Sequence, residues 1–369
     1  MSLDAPRSAR QGAPPDPALA WRGLSLDVAR HFFAVADVEF VLDLMEPLRL
    51  NVLHLHLTDD QGWRLEIPGW PRLTSVSGPT AVDGDAGGFY TRSDWERLVG
   101  HATARGIALV PEIDVPGHVN AALHALPRLS PDGRAPAAYT GRDVGFSTLS
   151  IDAPDTGRFL EEVLTHAARL SSGWVHIGGD EPAATPHDAY LQLARAAVRA
   201  VHRAGARAVA WQEAAPVLEA GDVVQVWDER LDAAPVREAA RRGVRVLLSP
   251  ATRVYLDMAH SPGDALGASW AGSIELRDAL EWDPAAVVPG LPAAAVIGVE
   301  AAMWTEGVRT RDELTTLLLP RLAAVADVAA RGSGAGRWEE FLPRVIRLAR
   351  EWESRGLAWH RSPGVDWAS

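Results

Sequence analysis

Eight short apolar runs punctuate this chain, at 23–28, 52–57, 107–111, 174–177, 206–211, 223–227, 244–248 and 295–299, and helical patterns separate them. Apolar runs this short read as strands covered on both faces, and strands that alternate with helices build a parallel sheet. Val38, Val41, Leu42, Met45 and Leu48 form one helical stripe; Phe159, Leu160, Val163, Leu164 and Ala167 form another. Ser93 and Glu96 have capping-box spacing, predicting a helix that opens there and ends near Gly106. An amphipathic helix over 338–352 is expected on the exterior. Turns that lead into the runs are brief, such as Arg105-Gly106, Ala204-Gly205 and Arg242-Gly243, whereas 58–92 and 112–155 are long Gly/Pro-rich segments that leave them. Long exits and short entries are the asymmetry of a (β/α)8 TIM barrel, whose site is built from βα loops. A doubly wound α/β sheet would also alternate, but no GxGxxG follows the first run, and eight strands favour closure.

Residues 1–20 are rich in Pro, Ala and Gly without periodicity and read as a tail, leaving 21–369 as a single barrel domain with its C-terminal helix. No run of 18 apolar residues occurs and the N-terminus has no apolar h-region, so a cytoplasmic protein is expected, or a secreted one if a leader has been removed. The chain has no cysteine, which excludes disulfide scaffolds, thiolate metal sites and cysteine nucleophiles. It has no lysine either, so its 36 basic residues are all arginine, and Schiff-base, pyridoxal-phosphate and Walker A chemistry are excluded. A net charge of −12 with no basic block argues against nucleic acid and anionic membrane as partners. Tryptophan supplies 14 of the 25 aromatic residues, and indoles suit pockets that stack on C–H faces while offering an N–H donor.

The densest chemistry is the run HIGGDE, residues 176–181. An apolar strand there meets two glycines and then Asp180 and Glu181. The glycines let the backbone bend, so the two acids need not point to opposite faces, and close carboxylates raise one another's pKa toward that of a general acid. Polar residues also follow other strands: HLHLTDDQGWR at 54–64, PEIDVPGH at 111–118, Trp211-Gln212-Glu213, Trp227-Asp228-Glu229, Tyr255-Leu256-Asp257 and Trp304-Thr305-Glu306. Aromatic rings for stacking beside carboxylates for hydroxyl groups are what a sugar site requires.

From Trp21 to about Trp304 the chain resembles the catalytic barrel of glycoside hydrolase family 20, the β-N-acetylhexosaminidases, and most of all the bacterial ones. The resemblance rests on RGLSLD from Arg22, ARHF from Ala29, HLHLTDDQGWR, PEIDVPGH, VGFSTL from Val144, HIGGDE and the late WTE. It implies exo removal of terminal β-linked N-acetylglucosamine or N-acetylgalactosamine by a retaining, substrate-assisted route with no cofactor and no metal. In that reading Glu181 is the acid and base, Asp180 holds the acetamido N–H, and Tyr255 donates to the acetamido oxygen. Trp211, Trp227, Trp270 and Trp304 wall the pocket, and Arg22, Asp257 and Glu306 grip ring hydroxyls. His118 with Asp59 or Asp60 tunes the acid. Many members carry an N-terminal α/β domain that a twenty-residue tail cannot hold, so another covering of that flank, such as a homodimer, is expected.

Two rival readings use the same residues. His54-x-His56 places two imidazoles on one strand face, as in a metal-dependent hydrolase that His118, His176 and Asp180 would complete. The other is a barrel that binds sugar without cleaving it, which would require a lost acid or pocket aromatic.

Overall fold

The computed structural model describes residues 19–368, so most of the expected tail lies outside the described residues. Each expected run overlaps one strand: β1 (Trp21–Asp27), β2 (Val52–His56), β3 (Ala108–Glu112), β4 (Trp174–His176), β5 (Arg207–Trp211), β6 (Val223–Val226), β7 (Arg245–Leu248) and β8 (Val296–Met303). They pair in parallel in chain order, and β8 returns to β1 with Trp21 opposite Gly298 and Leu26 opposite Met303. The fold is a (β/α)8 barrel. The eighth strand runs four residues past the expected 295–299, because the apolar pattern breaks at Glu300, a carboxylate that turns out to be fully buried inside the barrel.

Both helical stripes fall on helices that cover the barrel. Val38, Val41, Leu42 and Met45 are buried on the helix Val35–Met45, with Leu48 half-buried beyond its end, and all five residues of the second stripe are buried on Thr156–Leu170. The capping box is displaced from the expected one. Thr91 caps the helix Arg92–Ala104: its hydroxyl accepts from the Asp94 N–H at 3.2 Å and the Asp94 carboxylate accepts from the Thr91 N–H at 2.9 Å. Tyr90 bridges to Leu65, which fixes where the extended backbone ends and leaves Ser93 inside the first turn. The last helix, Trp338–Ser354, buries Phe341, Val345, Ala349 and Trp352. Among the described residues no helix is long and apolar enough to cross a membrane.

The barrel interior changes character over one layer. Trp21, Val52, Val110, Trp174, Val209, Val223 and Leu247 fill its floor as a separate apolar cluster. The next inward-facing position on each strand is two residues further on. There the chain places Gly23, His54, Glu112, His176, Trp211, Gln225 and Ser249, and Glu300 joins them from β8. A polar stack therefore lies between the apolar floor and the C-terminal mouth. Gly23 is needed because Glu300 occupies the space its side chain would fill. A Cβ there would come within 2.3 Å of Glu300 Oε2 and 2.7 Å of Trp21 Nε1.

Gly23→Ala should consequently lower stability by about 1–3 kcal/mol through overpacking, read as a lower urea midpoint at unchanged m-value. An unchanged midpoint would mean the stack has room to yield.

Candidate functional site

The paired acids leave β4 on a backbone that few sequences could follow. Gly178 and Gly179 have φ of +67° and +98°, and Glu181 itself sits at +44°, in the left-handed region that non-glycine residues seldom occupy. A Cβ on Gly178 would come within 1.7 Å of Asp114 Oδ1, so the strand end passes too close to β3's exit for any side chain. The bend is pinned on both sides: the Gly179 N–H donates to Asp114 Oδ1 at 2.9 Å, and the Tyr190 hydroxyl donates to the Gly179 carbonyl at 2.7 Å. Strain held by surrounding bonds in this way points to function. Asp180 and Glu181 open into a cavity of about 670 Å³ at the barrel mouth, lined also by Arg30, Trp227, Tyr255, Asp257, Trp270, Trp304 and Glu306.

Behind Glu181 a line of alternating groups runs down into the barrel. His118 Nε2 lies 3.6 Å from Glu181 Oε2 and 3.8 Å from Asp180 Oδ2, and its Nδ1 lies 3.4 Å from Asp59 Oδ1. Asp59 Oδ2 meets His56 Nε2 at 3.0 Å, and His56 Nδ1 meets Glu112 Oε2 at 2.6 Å. Glu112 also lies 2.9 Å from His54 Nε2, and His54 Nδ1 reaches Glu300 Oε1 at 3.0 Å. Glu300 in turn accepts from the Trp21 indole at 2.6 Å and from the Gln225 amide at 2.9 Å. Burial alone would lower the histidines, but Glu112, with Glu300 for His54 and Asp59 for His56, outweighs it and holds His54 up to about 9 and His56 up to about 10. Burial likewise opposes charge on Asp59, yet Arg30 and His118 hold it well below the usual carboxylate range. Between these carboxylates His54 and His56 are held toward the protonated form, in which both ring nitrogens donate. At the mouth, burial and the adjacent Asp180 raise the Glu181 carboxyl, against the opposing pull of His118 and Arg30.

The aromatic walls come from four strand ends. Trp211 is buried beneath Trp304, with ring centroids 6.0 Å apart, and donates to Glu112 Oε1 at 3.0 Å. Trp227 and Tyr255 stand nearly parallel, 6.3 Å apart, with Trp270 edge-on to both. Trp270 is 48% exposed and forms the rim. Asp257 and Glu306 also line the cavity as carboxyls raised chiefly by burial, and Arg30 lies beside Glu306.

Arg22 is a correction. It lies at the start of β1, where its guanidinium donates to the carbonyls of Arg49 and Leu19, at the opposite end of the barrel from Glu181. A residue at a strand's N-terminal end cannot reach a pocket at its C-terminal end, and the arginine at the mouth is Arg30, eight positions later. Arg30 sits 2.8 Å from Asp59 and 3.8 Å from Glu306, with its guanidinium 5.1 Å above the Trp304 ring. Of the two adjacent aspartates, Asp59 faces His118. Asp60 instead accepts from the Asn120 N–H at 2.9 Å and from the Ser147 hydroxyl, fixing the β3 loop. Two further arginines hold the loops around the mouth. Arg64 donates to the carbonyls of Val28, Ala29, Gly78, Thr80 and Gly88, and Arg321 to those of Leu256, Met258, Ile274 and Leu317. Each buries a guanidinium among main-chain oxygens of the loops that carry Arg30 and Asp257.

Comparison with known proteins agrees with this geometry. Residues 19–331 match the model of the glycosyl hydrolase family 20 catalytic domain. The beta-N-acetylhexosaminidase of Cellulomonas fimi is 51% identical over 353 residues, covering 95% of this chain and 71% of that protein. A beta-hexosaminidase of Vibrio furnissii is 32% identical, covering 84% of this chain and 56% of its own. Among solved structures, the family 20 beta-N-acetylhexosaminidase of Streptomyces coelicolor superposes with a TM-score of 0.90 at 43% identity, covering 95% of this chain and 72% of that one.

The polar stack makes stability depend on pH in a defined sense. Because the folded state raises His54 and His56 from 6.5 to about 9 and about 10, their contribution is complete below about pH 6.5 and is lost as pH rises through 9 to 10. Glu112→Ala leaves two buried imidazolium groups without their shared carboxylate and should cost about 3–5 kcal/mol at neutral pH. Urea titrations from pH 6 to 10 should show wild-type stability falling across that window and the variant's falling much less; parallel curves would contradict the assignment.

Proposed function

The chain belongs to glycosyl hydrolase family 20, and on that premise we propose that it removes terminal β-linked N-acetylhexosamine residues, with the substrate's own acetamido oxygen as the nucleophile. The observation that carries this reading is the geometry of the carboxylate pair. Asp180 and Glu181 are adjacent on one bent strand end, both within reach of the His118 imidazole, and open with Tyr255, Trp227 and Trp304 into one cavity, an arrangement of one proton donor and one charge-stabilising acid. Family 20 enzymes depart from the two-carboxylate scheme in this respect.

The roles follow from position and charge. Glu181 carries a raised pKa and 37% side-chain exposure toward the opening, suiting it to protonate the departing glycosidic oxygen. As the anomeric C–O bond breaks, the acetamido oxygen bonds to the anomeric carbon and gives a cyclic oxazolinium ion. Water then attacks that carbon, Glu181 takes its proton, and the ring reopens with the starting configuration. Asp180 Oδ1 is buried without a hydrogen-bond partner, so it is available to the acetamido N–H and to the positive charge that develops there. Tyr255, whose hydroxyl burial and Asp180 hold well above its ordinary pKa, stays a donor and suits the acetamido oxygen. Asp257 Oδ1 is likewise buried without a hydrogen-bond partner, and Arg30, whose Nε and Nη1 lie in the looser ion pairs with Glu306 and Asp27 and make no hydrogen bond, joins it in suiting ring hydroxyl groups. The indoles of Trp211, Trp227 and Trp304 exclude water around the acetamido group.

Two measurements test these roles. Glu181→Gln should lower the rate on the order of 10²- to 10⁴-fold with poor leaving groups and much less with very good ones, which need little protonation; equal losses would show that Glu181 is not the acid. An aryl β-glucoside bearing a plain 2-hydroxyl lacks the nucleophile and should hardly turn over beside its 2-acetamido counterpart. Comparable kcat for the two would contradict the mechanism, because lost binding contacts alone act mainly on KM.

A further inference from the structure

The tripeptide Trp211-Gln212-Glu213 at the end of β5 places a carboxylate beside the acid that the proposed mechanism leaves without a task. Trp211 is buried beneath Trp304, a residue of the cavity wall. Gln212 is buried and fixes the main chain of the next strand end: its Oε1 accepts from the N–H groups of Trp227 at 2.8 Å and Asp228 at 2.9 Å, and its Nε2 donates to the Asp228 carbonyl at 3.0 Å. Glu213 does not line the cavity but stands behind its wall. Its Oε2 accepts from the Trp227 indole N–H at 3.2 Å, and its Oε1 accepts from the backbone N–H of Glu181 at 3.4 Å. That second donor belongs to the residue whose backbone is strained. We propose that Glu213 is a positioning residue that ties the acid Glu181 to the pocket wall Trp227 through its two carboxylate oxygens.

The argument turns on acceptors. Two donors converge on Glu213 from two different strand ends, and only a side chain with two acceptor oxygens at that reach satisfies both. Glutamine retains one acceptor and sets an N–H against the other donor, whichever way its amide is turned. The main-chain N–H of Glu181 is the part of the acid closest to the strained bend. Losing its partner lets that bend relax, and the carboxyl beyond it moves relative to the glycosidic oxygen. Misplacement of about 1 Å at a reacting group costs on the order of 10²-fold. The effect should fall on proton donation, because Asp180 is held independently through the Gly179 bonds to Asp114 and Tyr190.

The inference rests on the proposed glycosidase reading and is tested with dinitrophenyl and phenyl β-N-acetylglucosaminides, whose leaving groups need little and much protonation. Glu213→Gln should lower kcat for the phenyl substrate roughly 10- to 100-fold and for the dinitrophenyl substrate several times less, with circular dichroism and Tm close to wild type. A merely structural role would reduce both substrates by one factor, since it would change only the amount of folded enzyme. Equal losses, or no loss, would overturn the inference. Should Glu213→Gln fail to fold, Glu213→Asp keeps both acceptors but withdraws them by one methylene, and the same unequal losses are expected and the same equal losses contradict it. A wild-type enzyme that cleaves neither substrate would instead overturn the glycosidase reading itself.

Discussion

Glu112 is the group on which the site depends. Fully buried at the end of β3, its two oxygens are shared among His54, His56, His176 and the Trp211 indole. A carboxylate enclosed in a barrel is costly unless every lone pair is used and opposite charge lies against it. Here the compensation comes from imidazolium groups on β2, which in turn meet Glu300 on one side and Asp59 on the other. Charge therefore alternates from the apolar floor to the mouth, and one carboxylate connects Trp211, beneath Trp304, to the chain of groups that ends at Glu181. Side chains locked by such a stack have few alternative arrangements, which is the preorganisation a catalytic site needs.

At the top of that stack the same physics separates two neighbouring acids. Glu181 opens toward the cavity and has a raised carboxyl, because burial and Asp180 act on it more than His118 and Arg30 oppose them. Asp180 faces inward with an oxygen that no protein donor satisfies. The Gly178-Gly179 bend makes this division of labour available, since adjacent residues on a regular strand would face opposite sides of the barrel wall. Around the pair, Arg64 and Arg321 hold the loops by their carbonyls. Only a guanidinium, with five donors in a fixed fork, can gather so many oxygens at once.

Much of this was legible in the sequence for identifiable reasons. Period and punctuation located the eight strands, because apolar runs, Gly turns and long exits all report local chain geometry. The paired acids and the tryptophans were legible because each follows a strand. Arg22 was misplaced because a motif match carries no direction along the strand: it lies in the same short stretch as Arg30 but at the start of β1, whereas Arg30 follows the end of that strand. Glu300 was missed because a charge within an apolar run reads as the end of a strand, when here the charge belongs to the barrel interior and Gly23, 277 positions away, makes room for it. Asp59 and Asp60 could not be distinguished without knowing which one the loop from β3 would meet. Glu213 was visible as a strand-end acid, but its partners come from β4 and β6 exits and only the folded chain brings them together.

The central claim is that Asp180 stabilises a cyclised acetamido intermediate while Glu181 handles the proton. Its most direct test is the affinity of a thiazoline analogue of that intermediate, measured by inhibition and by calorimetry on the wild type and on Asp180→Asn. The account predicts strong inhibition of the wild type and binding weakened on the order of 10²-fold or more in the variant, because the substitution keeps the size of Asp180 and removes the charge placed against the ring. Equal affinity in the two proteins, or a glycosyl ester trapped on Asp180 or Glu181 during turnover, would contradict it.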